Sequence, residues 1–297
     1  MKLPCVVLML VAGGCARGAL ATDELDAGPE ADGRSSVDAA PPEPTVDASP
    51  PVDAAPGLAA AVPLMLTEVV LAPNGGEMIE IANPSGQAVD LSSYYLSDAG
   101  AYFRLPGGAP ALDTADFIVK FPAGAMIPAQ GVVTVALDTA ANFTTAYGAA
   151  PTYSIASGTM AGIATSGTPN LTNAGELVVL FHWDGQADLV RDVDMIVVGV
   201  PTAANGLLDK SGAMVDGPDA NTTGTAYATD ARTLAPQASA PAAARSTKRV
   251  ARETGHETQG GTGNGLTGDD ETSEDTSTTW DTTFTAPTPG SVPAGLL

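Results

Sequence analysis

Between Leu66 and Asp98 the sequence has three short apolar segments that are separated by turn residues. They cover residues 66–71, 76–84 and 89–98, and they are rich in Val, Ile, Leu and Tyr. Runs of this length, bounded by Gly, Pro, Asn and Asp, predict β-strands joined by tight turns. The chain is therefore expected to bury its core between sheets.

Four later segments predict further strands by the same criteria. The turn Trp183-Asp184-Gly185 joins two of them, and Asp-Gly satisfies the positive φ that a tight hairpin requires. Seven or more short strands without a convincing amphipathic helix predict an all-β, immunoglobulin-like β-sandwich. The four segments are residues 116–121, 131–137, 176–182 and 189–198.

Several of these motifs stand in the order found in one family. The chain reads Glu77-Met78-Ile79-Glu80-Ile81, then Asn83-Pro84, Asp90-Leu91-Ser92 and Asn173-Ala174-Gly175-Glu176. This order resembles the lamin tail domain family, although Met78 stands where the family commonly has Trp. The resemblance implies a β-sandwich that is mostly used as a binding or structural module.

The resemblance extends to the end of the chain. Ser246-Thr247-Lys248-Arg249 and Pro287-Thr288-Pro289-Gly290 match a late strand and a closing Pro-x-Pro-Gly segment of the family. It implies a sandwich over residues 63–293, a loop insertion at about 203–244, and a tail at 294–297. Arg249 is then expected to be a structural ion-pair donor on a strand, with Trp280 and Phe284 as core or edge anchors.

The N-terminus predicts export. Lys2 precedes an apolar run over residues 3–12, and the small residues Ala12-Gly13-Gly14 stand directly before Cys15. This pattern predicts a lipoprotein signal peptide over residues 1–14 and lipidation of Cys15. The alternative is an ordinary secretory signal, which would leave the protein secreted. Lipidation implies a bacterial cell envelope, and Ala16 after the cysteine favours the outer membrane over the inner one.

Residues 15–62 are rich in Ala, Pro and Asp, with the sequence Val-Asp-Ala-Ala-Pro at 37–41 and again at 52–56. Proline fixes φ, and spaced aspartates repel one another, so no core can form there. The segment is predicted to be a disordered, extended tether between the anchor and the folded domain.

Charge and cysteine content exclude several functions. A net charge of -22 argues against binding nucleic acid through its phosphates. The only cysteines are Cys5 and Cys15, and the only histidines are His182 and His256, so a zinc site of four such ligands is not expected. Signatures of common hydrolases and nucleotide-binding enzymes are absent. The sequence therefore predicts no catalytic residue, no enzyme and no required cofactor.

Two conspicuous groups of side chains have a structural interpretation. Glu77 and Glu80 are expected to point to opposite faces of one strand, which is a poor geometry for two carboxyls that act together as general acid and general base. They are expected to fix turns or to pair with Arg and Lys across strands. His182, beside Trp183 at the end of an apolar strand, is expected to pack in the core.

Calcium binding remains open on the sequence alone. Three Asp-rich, Gly-rich loops, at residues 209–212, 216–219 and 269–271, offer oxygen ligands. Asp216 and Asp219 are the predicted ligands if a calcium ion binds. The same composition is equally typical of solvated turns, where Asp and Gly are favoured for local hydrogen bonds.

The leading functional hypothesis is a cell-envelope lipoprotein whose sandwich is a protein interaction module, with exposed loops or an open strand edge as the binding element. Its partners would be the membrane, through the N-terminal lipid, and an unknown surface protein or polymer. The alternatives are a calcium-binding accessory subunit of a secreted hydrolase and a purely structural envelope spacer.

Overall fold

The computed structural model describes residues 64–108, 110–199, 208–230, 238–252, 263–266, 268–281 and 283–297. The chain divides into two units, residues 1–50 and 51–297, and all of the described residues lie in the second unit. The predicted signal peptide, Cys15 and the predicted tether lie outside the described residues. The boundaries proposed for the domains therefore remain predictions.

Two five-stranded sheets form the framework. The first sheet has the order β14-β1-β2-β7-β8, and all of its pairs are antiparallel except β7 with β8. Its strands are β1 (Met65–Val70), β2 (Met78–Ala82), β7 (Val132–Ala136), β8 (Tyr153–Ser154) and β14 (Thr247–Lys248).

The second sheet has the order β11-β10-β4-β5-β9 and is antiparallel throughout. Its strands are β4 (Tyr94–Ser97), β5 (Phe117–Lys120), β9 (Ala161–Thr165), β10 (Gly175–His182) and β11 (Arg191–Gly199). The predicted Asp-Gly turn lies between β10 and β11, but the connection runs over residues 183–190 and is longer than the tight hairpin that was expected. Gly185 has a φ of 86°, and Asp184 Oδ1 accepts the N–H groups of Gln186 and Ala187.

Smaller elements complete the fold. Two-residue strands form two further antiparallel pairs, β3 (Val89–Asp90) with β6 (Met126–Ile127) and β12 (Met214–Val215) with β13 (Thr225–Ala226). The α-helices are α1 (Ala140–Tyr147) and α2 (Thr276–Thr279). Short 3₁₀-helices occupy Asn74–Gly76, Tyr102–Gly107 and Glu271–Ser273.

The main core lies between the two sheets. Alternate residues of each strand point into it, as the twofold repeat of a strand requires. The first sheet contributes Leu66, Val69, Ile79, Ile81, Val133 and Val135, and the second contributes Leu96, Phe117, Val119, Val178, Leu180, Ile196 and Val198. The predicted all-β, immunoglobulin-like sandwich is thus confirmed.

The outer face of the second sheet is also buried. Leu177, Val179 and Phe181 of β10 point away from the main core and belong to a second apolar cluster. This cluster is covered by the 3₁₀-helix at 102–107 and by residues 208–230, so β10 is apolar on both faces over residues 177–181. The described part of the predicted loop insertion therefore covers the outer face of the second sheet.

Two features differ from the expectations. Helix α1 interrupts the strand pattern: the Thr139 side chain caps its N-terminus, and Gly148 ends it in the left-handed conformation. It packs Phe143, with Tyr147 beside it, on the outer face of the first sheet next to Met78, and two apolar positions are too few for hydrophobic periodicity to reveal. Phe284 is half-buried and outside the core, whereas Trp280 is buried in it as predicted.

Candidate functional site

Strand β9 is the outermost strand of the second sheet. On one side it pairs with β5, from Phe117 opposite Thr165 to Lys120 opposite Ala161. A bulge lies between Ile118 and Val119, and Ile163 is the residue of β9 that has no partner in the register. In the described part of the chain no strand pairs with the other side of β9.

Exposure and lack of charge distinguish this edge. Four of the five residues of β9 are exposed, and Ile163 retains 43% of its surface. The chain has no Asp, Glu, Lys, Arg or His between Asp138 and Glu176, although it carries 34 acidic residues in total. Proteins usually protect an open edge with charges or proline. Strand β9 has neither, so its backbone can accept another strand.

The other three sheet edges are short or covered. Strands β8 and β14 have two residues each, and Arg249, directly after β14, bridges to Trp280. Strand β11 is bridged on its outer side to Ala238 and to Gly265. The longest exposed edge among the described residues is therefore that of β9.

The structure brings the two predicted calcium ligands together with a third carboxylate. Asp188, Asp216 and Asp219 each place a carboxylate oxygen within 4.8 Å of the others. Asp188 also accepts the N–H of Gly217 and the hydroxyl of Thr225, and Asp219 accepts the N–H of Asn221, so turn hydrogen bonds hold the cluster. Its oxygen-only chemistry suits calcium.

The acidic loop at residues 269–271 belongs to a different centre. Asp194, Glu271 and Glu274 surround the buried guanidinium of Arg249, which forms hydrogen bonds of 2.6 and 2.8 Å with the Asp194 carboxylate. Arg249 Nε also donates to the Leu66 carbonyl, and Leu66 N–H donates to Asp194. Arg249 is thus a structural ion-pair donor, as predicted, and it connects β11, β1 and the late chain.

The charge of Arg249 is retained despite its burial. Loss of hydration acts to lower the pKa of the guanidinium, but attraction by Asp194 and Glu274 outweighs this and raises the pKa. The same guanidinium lies 5.1 Å from the centre of the Trp280 ring. These contacts support a structural role for this centre.

Of the two roles expected for Glu77 and Glu80, the structure shows the first, the fixing of turns. Each carboxylate fixes a loop, because Glu77 accepts the N–H of Leu171 at 3.2 Å and Glu80 accepts the N–H of Gly290 at 2.6 Å. Neither forms an ion pair with Lys or Arg among the described residues. Burial raises the pKa of Glu77 to about 8 and that of Glu80 to about 7.

Glu176 lies close enough to Glu77 and to Asp98 to repel the charge of each, so two more buried carboxyls belong with Glu77. Asp98 accepts the N–H of Phe117 at 2.6 Å, and Glu176 accepts the N–H of Thr172 at 2.6 Å. Burial, with repulsion by neighbouring carboxylates such as Asp116 as a smaller cause, raises the pKa of Asp98 to about 9 and that of Glu176 to about 7. These three residues, Glu77, Asp98 and Glu176, are called the buried carboxyl cluster below.

His182 packs in the core, as expected. It is buried, and its ring meets that of Tyr94 edge-on at 5.1 Å. Loss of hydration lowers its pKa, so the imidazole is neutral at pH 7. No acid–base partner is needed to explain its position.

Sequence reasoning missed β9 and Asp188. The only local signal for β9 is the pair of β-branched residues Ile163 and Thr165 between Gly158 and Gly167, which is weak beside the apolar strands. Asp188 lies far along the chain from Asp216 and carries no signal of its own. Only the packing of residues 208–230 on the second sheet brings these aspartates together.

No helix among the described residues has the length and apolar character needed to cross a bilayer.

Residues 58–199 match the model of the family described as Lamin Tail Domain. No curated protein and no solved structure matched the chain. The matched residues include the strands from β1 to β11, and thus both sheets except β14. The lamin tail domain family consists of immunoglobulin-like, non-catalytic domains. Residues 58–199 of this chain are a member of the lamin tail domain family.

Proposed function

We propose that this protein is a cell-envelope lipoprotein whose lamin tail domain is a non-enzymatic module that binds an extended segment of a partner protein along β9. The observation that carries the proposal is the exposed, uncharged outer edge of that strand. Backbone N–H and C=O groups on such an edge pair with an added strand, and the side-chain pockets of the sheet give specificity.

The charge of the chain argues for a foreign partner rather than a second copy. A net charge of -22 makes two copies repel each other over most of their surfaces. The edge of β9 is neutral, so a segment of another protein with a neutral or basic surface could approach it without that repulsion. A spacer that binds nothing would have no need for an unprotected edge.

Ile163→Pro tests the edge. Proline removes an N–H and blocks strand addition, and Ile163 already lies unpaired at a bulge, where proline is tolerated in sheets. We expect at least about a tenfold loss of partner binding, or about 1.4 kcal/mol. Binding is measured after crosslinking on intact cells, capture and mass spectrometry, followed by titration with the identified partner.

The matched control is Ile163→Val, which keeps the N–H and the β-branched side chain. We expect it to retain the partner. The free energy of unfolding of both variants should lie within about 1 kcal/mol of the wild-type value, because the position is exposed. Equal capture by the proline variant would disprove binding along β9. Enrichment of no protein by any form would favour the structural spacer.

Lipidation is tested with a labelled fatty acid. We expect label on the wild type and on Cys5→Ser, and none on Cys15→Ser, because only the thiol at the cleavage site receives the lipid. The Cys15 variant should leave the membrane fraction, since acyl chains anchor by about 0.8 kcal/mol per buried methylene. Label retained on Cys15→Ser would contradict the anchor.

Calcium binding is the second candidate function, and the gathering of Asp188 with the predicted Asp216 and Asp219 favours it. Extracellular modules bind calcium with dissociation constants near the millimolar range. At tenfold excess the ion should stabilise the fold by about 1.4 kcal/mol. We expect calcium to raise the melting temperature of the wild type and leave Asp216→Asn/Asp219→Asn unchanged. No response of the wild type to calcium or to chelator would dispose of the idea.

A further inference from the structure

A lysine and two aspartates meet in a buried site beneath the cover over the second sheet. Lys210 Nζ lies 2.7 Å from Asp192 Oδ2 and 3.3 Å from Asp230 Oδ2. The side chains of Lys210, Asp192 and Asp230 are 0%, 1% and 0% exposed. Asp192 belongs to β11, whereas Lys210 and Asp230 stand at the two ends of residues 208–230.

Neighbouring polar groups orient the two carboxyls differently. The Tyr102 hydroxyl donates to Asp192 Oδ1 at 2.6 Å, which leaves Oδ2 of Asp192 facing the lysine. The Asn264 amide donates to Asp230 Oδ1. The Lys210 backbone N–H donates to Asp230 Oδ2 at 2.6 Å, so Lys210 and Asp230 are held in one arrangement.

The surroundings exclude water. Tyr102 stacks at a tilt on Phe181, with ring centres 5.1 Å apart, and the ammonium of Lys210 is 5.9 Å from the Tyr102 ring centre. Phe103 and Tyr227 pack beside them in the same apolar cluster. One ammonium facing two carboxylates leaves an unbalanced negative charge in a dry site, which favours retention of an extra proton there.

We propose that Lys210 and Asp192 are joined by an intramolecular amide bond that forms spontaneously after folding. The Nζ–Cγ bond forms, the Cγ–Oδ2 bond of Asp192 breaks, and one water leaves. No oxidant, reductant or cofactor is required, because an amine and a carboxylic acid condense without any change of oxidation state.

The neighbouring groups have definite roles in this condensation. Asp230 accepts a proton from the attacking nitrogen and delivers it to the departing Oδ2. Burial raises the pKa of Asp230, which suits a group that must hold a proton for part of the reaction. The Tyr102 hydroxyl stabilises the negative charge that develops on Oδ1 of Asp192 in the tetrahedral intermediate.

The ground state is an ion pair, and the reaction starts from its neutral form. Burial alone would lower the pKa of Lys210, but attraction by Asp192 and Asp230 raises it. Proton transfer from the ammonium to a carboxylate within this site produces a free amine and a carboxylic acid without changing the total charge. Well-oriented groups react with effective concentrations on the order of 10⁵–10⁸ M, which offsets the small neutral fraction.

The amide would have a mechanical consequence. It would tie residues 208–230, which cover the second sheet, to β11 by a covalent bond. The chain has only Cys5 and Cys15, both before the folded domain, so no disulfide can make such a connection there.

Digestion of the full purified chain with trypsin tests the proposal directly. Trypsin cuts after Arg191, Lys210 and Arg232, which gives peptides 192–210 and 211–232 from an unmodified chain. Acylated Lys210 is not cut. We therefore expect one peptide, 192–232, that is lighter by one water, about 18 Da. Fragmentation should locate the link between Asp192 and Lys210.

Two separate peptides of full mass would overturn the proposal, and a link at Asp230 would overturn the choice of Asp192. Loss of water with normal cleavage after Lys210 would indicate only dehydration at Asp216-Gly217 and would also count against it. Asp230→Asn should give the two ordinary peptides, because it removes the proton acceptor. Tyr102→Phe should slow formation of the linked peptide in freshly folded protein by at least about tenfold.

Discussion

Replacing Arg249 by methionine is expected to lower the free energy of unfolding by about 3–5 kcal/mol. The variant leaves Asp194 buried without its ion-pair partner and removes the hydrogen bond to the Leu66 carbonyl. Because this centre joins both sheets to the late chain, the loss acts on the whole sandwich. Urea unfolding followed by tryptophan fluorescence measures it.

Two further variants make this test specific. Arg245→Met removes an exposed positive charge four residues earlier and should change stability by less than about 0.5 kcal/mol. The double variant Arg249→Met/Asp194→Leu should recover part of the loss, because it also removes the unpaired carboxylate. An Arg249→Met protein as stable as Arg245→Met would show that the late chain does not hold the sandwich together.

Stability is expected to fall by at least about 2 kcal/mol between pH 5 and pH 9. In the buried carboxyl cluster the pKa is raised to about 8 for Glu77, about 9 for Asp98 and about 7 for Glu176. A raised pKa means that the unfolded chain ionises first as the pH rises. The stabilising effect is therefore complete below pH 3.8, the ordinary pKa of Asp98, and is lost progressively as the pH rises until the folded carboxyls ionise.

The charge-free variant Glu77→Gln/Asp98→Asn should flatten this dependence. Each amide keeps the oxygen that accepts a backbone N–H, from Leu171 and Phe117 respectively, so the loops stay fixed. The free energy of unfolding is measured at several pH values for both proteins. A wild type whose stability is constant or rises from pH 5 to pH 9 would contradict the assignment.

The sequence predicted the sandwich well because its central strands carry strong local signals. Strand β10 contains an unbroken apolar run over residues 177–181, and the Asp184-Gly185 turn in the connection that follows has the side-chain and backbone chemistry of a turn. The ion-pair role of Arg249 was also predictable, since the resemblance of the late motifs to the family implied a structural ion-pair donor there. In these places local preference and tertiary packing agree.

Other elements depend on contacts that no local pattern contains. Helix α1 is held on the outer face of the first sheet by two side chains, Phe143 and Tyr147. Lys210 stands in an Asp-rich, Gly-rich stretch typical of a solvated turn, yet it is fully buried between Asp192 and Asp230. Strand β9 is open because no described strand pairs with its outer side, and the absence of a neighbouring strand cannot be read from the sequence.

The most direct test of binding along β9 is backbone hydrogen exchange in the free protein and in its complex with the captured partner. We expect the outward-facing amides of residues 161–165, which pair with no described strand, to exchange rapidly in the free protein and to become protected in the complex. The central strand β10 should be protected in both states. Protection confined to the loops around Asp184 or Asp216, with β9 unchanged, would contradict strand addition as the mode of binding.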